Sequence, residues 1–306
     1  MDKMPITASE WLDGETAQLA AAAEELSLRQ QVRWALDFRV PAGRYSLART
    51  HRMSVYAYLP FLLREAFPRA ETETLGRLSL AVRLHLSHLQ VLHRSPDGRR
   101  PELEVGLSAT LWCQQAMREL AAVMGAHRGF WDRFDLYLAE YARAVVLERD
   151  TCWVKPHPYR RAWEEELGRG KPALFKYVAA ALAYASEREG ALEPLEASLD
   201  RFSIALQMWD DLADWEADYS RGYYSPFLAR TLEQMAGESP AGLPSGEEVA
   251  LRIESVGTAR EARKDIQEHC AAAMEAIPDL PLAAWRGFID RFRDLVAAGA
   301  PFSLLK

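Results

Sequence analysis

Cysteine is scarce: the 306 residues contain three, Cys113, Cys152 and Cys270. Spaced so widely, they form neither a disulfide framework nor a zinc pattern, and a reducing compartment is the simplest expectation. A surplus of basic charge is missing as well. The net charge of −7 argues against nucleic acid as the main partner, because phosphate backbones call for clustered lysine and arginine. Long apolar runs are absent. The longest, Tyr177 to Ala185, is about half of what a membrane span needs, so none is expected. No apolar segment follows Met1-Asp2-Lys3-Met4-Pro5, which argues against a secretory signal and for a cytoplasmic protein. Sustained period-2 alternation is lacking, so strands are not needed. A repeat of about 30–50 residues is lacking too, which disfavours a helical solenoid.

What is present is the composition of a globular protein with a sizeable core, 49% hydrophobic and 26% charged. Helical periodicity runs through most of it. The pattern predicts helices at 9–38, 46–67, 71–94, 103–125, 129–150, 171–189, 193–220, 225–236, 246–276 and 281–298, the first capped by Ser9. Breaks fall at Pro68, Ser95-Pro96-Asp97-Gly98, Gly125 to Gly129, Pro156-His157-Pro158, Gly168 to Gly170, Gly190 and Gly222. The segment 237–246 has linker composition, but it lies too late to divide two balanced domains and reads as a surface loop. One all-α domain over 1–306 is expected.

The most informative stretch is Gln207-Met208-Trp209-Asp210-Asp211-Leu212-Ala213-Asp214-Trp215-Glu216-Ala217-Asp218. At about 100° per residue, Asp214 falls about 40° from Asp210, Asp218 about 80° and Asp211 about 100°. Gln207 shares that arc, while Phe202, Leu206, Trp209, Leu212 and Trp215 fill the rest of the circumference. A solvated acidic face is the ordinary alternative. Against it, lysine and arginine are absent from Phe202 to Ser220, although like charges at i,i+4 destabilise a helix. Aspartate is a poor helix former, yet glutamate appears only at Glu216, off the arc. Short carboxylates suit Mg²⁺, which takes one or two of them with water and phosphate oxygens. A metal face is the stronger reading.

The pattern Q-x-x-D-D-x-x-D at Gln207, Asp210, Asp211 and Asp214 resembles the second aspartate-rich motif of the class I isoprenoid synthases. That superfamily includes polyprenyl diphosphate synthases and class I terpene cyclases. Asp210, Asp214 and Asp218 are also similar to the cyclase form, with ligands at i, i+4 and i+8. Upstream, Gly170-Lys171-Pro172-Ala173-Leu174-Phe175 is similar to the K-T-A-x-L-F segment, whose lysine holds diphosphate. The resemblance covers residues 45–230 and is strongest over 200–222.

The first aspartate motif is where the chain departs. Leu92 and His93 stand where paired aspartates belong, after His85 and His88, with Asp97 the only nearby carboxylate before Glu102. Arg99-Arg100-Pro101 is similar to the diphosphate-binding R-R-G-x-P, with a shorter spacer and no glycine. His85 and His88, at i,i+3, have the spacing of a metal pair, but a hydrogen-bonded core role is the commoner one for histidines on an apolar helix. Serine, cysteine and lysine nucleophiles find no motif.

The resemblance implies a helical bundle of the isoprenoid synthase type, with about ten or more helices around a central cavity. It implies Mg²⁺, more than one ion, on Asp210, Asp211, Asp214 and Asp218, the first three catalytic. Lys171, Arg99, Arg100, Arg221 and Gln207 would face the diphosphate. Trp209 and Trp215 would stabilise cations in a hydrocarbon pocket, although ordinary core packing is open to both. A prenyl diphosphate is the implied partner, and a homodimer is admitted. The leading expectation is a terpene synthase that ionises one linear prenyl diphosphate and cyclises or rearranges it. Such an enzyme tolerates one weakened motif because it activates a single diphosphate. A chain-elongating prenyl diphosphate synthase is the alternative, favoured by the all-aspartate second motif. A non-catalytic accessory subunit or prenyl-lipid binder is the third.

Overall fold

The computed structural model describes residues 17–18, 21–22, 25, 55–93, 103–153, 155–235, 243–255 and 257–299. Short helical turns over 55–66 lead into α1 (Thr72–His93), α2 (Leu103–Met124), α3 (Arg128–Cys152) and α4 (Arg161–Gly170). Then come α5 (Tyr177–Ala185), α6 (Leu192–Ala213), α7 (Trp215–Arg221) and α8 (Pro226–Met235). The chain continues through α9 (Gly246–Ser255), α10 (Thr258–Glu275) and α11 (Ala283–Ala297). No strand occurs among the described residues, in keeping with the absence of alternation. No helix among them is long and apolar enough to cross a membrane. Of the expected helix at 9–38, positions 17–18, 21–22 and 25 are described, and all are helical. Most of the 237–246 loop lies outside the described residues.

Part of the expected helix 46–67 forms short turns over 55–66, and the expected helix 171–189 is a short turn followed by α5 (Tyr177–Ala185). Three further departures have a local reason. Helix α4 occupies Arg161–Gly170 and runs through Gly168 and Gly170, where the sequence predicts a break. Both serve close packing instead: a Cβ on Gly168 would lie 2.8 Å from Ile204 Cα in α6, and one on Gly170 would lie 2.6 Å from Ala144 Cβ in α3. The expected helix 193–220 is interrupted at Asp214, which caps α6 and opens α7 with φ −101° and ψ 7°. The amides of Asp214 and Asp218 still reach the carbonyls of Asp210 and Asp214, so the turn-by-turn register survives. The expected helix 246–276 is split by Gly257, whose φ of +82° suits a residue without Cβ.

Helix α5 is buried along nearly its whole length, and its alanines let α2, α3 and α6 crowd around it. Helix α6 turns Phe202 onto Trp285, Phe288 and Phe292 of α11, with ring centroids 4.9, 5.6 and 5.4 Å away. Burying an aromatic of this size contributes about 1.5–3 kcal/mol. Just before α5, the buried Lys176 reaches Glu140 of α3 at 2.7 Å and Asp200 of α6 at 3.0 Å. A buried ammonium between two carboxylates ties three elements together without a stranded charge. Lys176 thereby fixes the first half of α6 beside α3, and Gly168 seats α4 against Ile204 further along α6.

Candidate active site

Four helix ends meet at this place: the C-terminus of α3, the end of α4, and the junction of α6 with α7. Lys171 caps α4 rather than opening the expected helix 171–189, and its amide bonds to Leu167 O at 3.0 Å. Its Nζ lies 2.7 Å from Glu148 Oε1 on α3. The same oxygen accepts a hydrogen bond from the Tyr223 hydroxyl at 2.8 Å. Burial alone would lower the Lys171 pKa, but Glu148, Asp211 and Asp210 raise it above the usual lysine range, so it stays an ammonium.

The four aspartates divide by environment. Asp211 is 3% exposed, faces inward and accepts Gln207 Nε2 at 2.7 Å. Burial pushes its carboxyl well up, against the opposing pull of Lys171 and Gln207. Asp210, Asp214 and Asp218 are half-buried. Burial, then Asp214 and Asp210, pushes the Asp218 carboxyl up to about 6, while Arg221 pulls it down. Those three carboxylates therefore share one electrostatic neighbourhood, with Arg221 and Lys171 at its edges. Cys152, one turn beyond Glu148, is also in it: its thiol is pushed up to about 11 by burial, with Asp211 and Glu148 contributing.

A glycine makes the second half of this arrangement. Gly222 ends α7 at φ +73°; its amide bonds Tyr219 O at 3.1 Å and that of Tyr223 bonds Asp218 O at 2.9 Å. These two bonds form a Schellman turn, in which glycine takes the left-handed position at no steric cost. The turn reverses the chain, and Tyr224 N then bonds Cys152 O at 2.8 Å, bringing Tyr223 to Glu148.

The structure thus gathers Lys171, Gln207, Asp210, Asp211, Asp214, Asp218 and Arg221. The Trp209 ring packs on Phe292 of α11, 6.2 Å centroid to centroid, within the core. Trp215 is partly buried against the same core. Arg99, Arg100 and Asp97 lie outside the described residues. Leu92 is 55% exposed at the end of α1. His85 Nδ1 lies 3.3 Å from Tyr177 OH, and His88 Nδ1 lies 3.0 Å from Ala109 O. Burial, then His88, pushes the His85 imidazole down to about 3, which keeps it neutral in the core.

Glu148 and Tyr223 join Lys171 here, and neither belongs to the aspartate or lysine motifs. A signal for Glu148 exists in the sequence. Phe130, Phe134, Tyr137, Tyr141, Ala144, Glu148 and Cys152 recur every three or four residues on the buried stripe of α3, and Glu148 is its charged member.

No protein-family model matches the sequence, and no curated protein matches it either. Solved structures do match in three dimensions. A decaprenyl diphosphate synthase from Rhodobacter capsulatus aligns with a TM-score of 0.69 at 16% identity, covering 94% of this chain and 98% of its own. A geranylgeranyl pyrophosphate synthetase from Geoglobus acetivorans aligns at 0.66 and 17% identity, covering 92% and 98%. A polyprenyl synthase from Caulobacter crescentus, complexed with calcium and isoprenyl diphosphate, aligns at 0.61 and 16%, covering 92% and 97%. At such identities the likeness is one of fold, and it extends over nearly the whole length of both chains. The chain has the all-α fold of these polyprenyl and geranylgeranyl diphosphate synthases, that of the class I isoprenoid synthases.

Proposed function

We propose that this chain is a Mg²⁺-dependent enzyme of prenyl diphosphates, working as one domain, and that chain elongation with isopentenyl diphosphate is its reaction. The observation that carries the reading is the placement of the Lys171 ammonium beside Asp210 and Asp211, with Asp214 and Asp218 one and two turns along. The fold likeness to enzymes named for elongation favours that reaction over cyclisation.

The donor set fits Mg²⁺ in its chemistry. It is all carboxylate, repeated turn by turn, and Mg²⁺ needs only one or two carboxylates when phosphate oxygens and water complete its shell. Among the described residues no group of three His, Cys, Asp or Glu side chains is arranged to hold a metal ion by itself. Asp210, Asp214 and Asp218 would hold the ions; Asp211, buried and held by Gln207, acts from behind them. Bound Mg²⁺ supplies positive charge to the leaving diphosphate. Lys171 adds a point charge to the same group, and Arg221 lies near enough to Asp218 to join it. The apolar interior excludes water from the ionised hydrocarbon.

One observation favours a second reading, the terpene synthase. The positions of the first motif carry Leu92 and His93, and an enzyme that activates a single diphosphate loses less by that. Incubation with C10, C15 and C20 prenyl diphosphates and Mg²⁺, with and without isopentenyl diphosphate, decides by mass spectrometry. A longer prenyl diphosphate formed only with isopentenyl diphosphate supports elongation. A hydrocarbon or alcohol formed without it supports cyclisation. No turnover in any mixture overturns both and leaves a binding or accessory role.

A further inference from the structure

Glu148 Oε1 stands where a ligand oxygen would stand on Lys171. The 2.7 Å separation is that of a charge-assisted hydrogen bond, the same contact an ammonium makes with a phosphate oxygen. Both side chains are largely enclosed, so solvent does little to weaken the pair. Glu148 is the carboxylate in direct contact with the Lys171 ammonium, while Asp211 accepts from Gln207 at its Oδ1. Tyr223 donates to the oxygen that Lys171 uses, and the Gly222 turn fixes Tyr223 in place. Glu148 therefore keeps one hydrogen-bond donor when Lys171 turns away.

We propose that Glu148 is a positioning residue which holds Lys171 in the diphosphate-free site and yields it to the diphosphate of the substrate. The inference rests on the reading of Lys171 as a diphosphate-binding residue. As an internal competitor, Glu148 lowers the apparent affinity for diphosphate by the fraction of time Lys171 is engaged. When the product diphosphate departs, Glu148 recaptures the ammonium, with Tyr223 having kept the carboxylate in place. Diphosphate binding is thus traded for release.

The test is calorimetric titration of inorganic diphosphate, at fixed Mg²⁺, into the full-length chain and its variants. Glu148→Gln should tighten binding by at least about fivefold, a factor within the range of ordinary site-to-site coupling. In a Lys171→Ala background the same substitution should change nothing, since the competitor then has nothing to hold. If the amide variant does not fold, Glu148→Asp keeps the charge but withdraws it by one methylene, and should tighten binding by a smaller factor. A purely structural Glu148 would lower the melting temperature and leave the dissociation constant unmoved, or weaken binding; either result overturns the inference alone. Failure of the wild type to bind diphosphate with Mg²⁺ would overturn the proposed function and this inference with it.

Discussion

Gly168 of α4 rests against the backbone of Ile204 in α6, so close that a Cβ would lie 2.8 Å from Ile204 Cα. Backbone cannot swing aside as a side-chain tip can. The contact sets the distance between α6, which carries the aspartates, and the end of α4, which carries Lys171. Gly168→Ala should therefore cost about 1–3 kcal/mol through overpacking. It should also weaken diphosphate binding by displacing Lys171. Chemical denaturation with diphosphate titration checks both, and a neutral substitution would mean that the two helices are free to separate.

Ligands that bind only the folded state stabilise it, by about 2.7 kcal/mol at a hundredfold excess over the dissociation constant. Mg²⁺ with inorganic diphosphate should raise the melting temperature of the wild type. Asp214→Ala should abolish that rise, because Asp214 lies between Asp210 and Asp218 at the α6–α7 junction. Persistence of the full shift in Asp214→Ala would move the metal site away from the acidic turn.

Asp218 gives the site a pH dependence with a definite sign. Its carboxyl is pushed up to about 6 by burial first and then by Asp214 and Asp210. An unfolded aspartate titrates near about 3.9. Between these values the folded protein binds a proton that the unfolded chain releases. The metal-free protein is thus favoured by this group below about pH 4, and loses that contribution as pH rises through about 6. Mg²⁺ needs the ionised carboxylate, so its affinity should climb over the same window. Comparing Mg²⁺ titrations near about pH 5 and about pH 7 should show a smaller change in Asp218→Asn than in wild type. Equal changes would assign the dependence to another group.

The all-α class and most helix positions were legible in the sequence because period and breakers agree along α1, α2, α3, α8 and α11. The acidic turn was legible for a similar reason: its residues are neighbours in sequence, so helix geometry alone places them together. Helix α4 was not, since Gly168 and Gly170 look like breakers until the close approach of α3 and α6 is known. The bend at Asp214 was hidden too, because nothing in Leu212-Ala213-Asp214-Trp215 breaks helical periodicity. Glu148 and Tyr223 are 75 residues apart, and only folding brings either to Lys171. Trp209, adjacent to Asp210 in sequence, lies about 100° around the helix from it and packs on Phe292.

Leu92 offers the most direct test of the missing first motif. At 55% exposure it meets water, so Leu92→Asp buries no charge and should change stability by no more than about 0.5 kcal/mol. If position 92 faces the acidic turn across the substrate cleft, a carboxylate there adds negative potential at the metal positions and Mg²⁺ binds more tightly. The gain should grow in Leu92→Asp/His93→Asp and fall as salt is added, since exposed charges are screened over about 10 Å at 0.1 M salt. Calorimetric Mg²⁺ titration in the presence of diphosphate measures it against wild type. A double variant that folds with wild-type stability and unchanged Mg²⁺ affinity would show that the end of α1 does not face Asp210, and the alignment of positions 92 and 93 with the paired aspartates would be wrong.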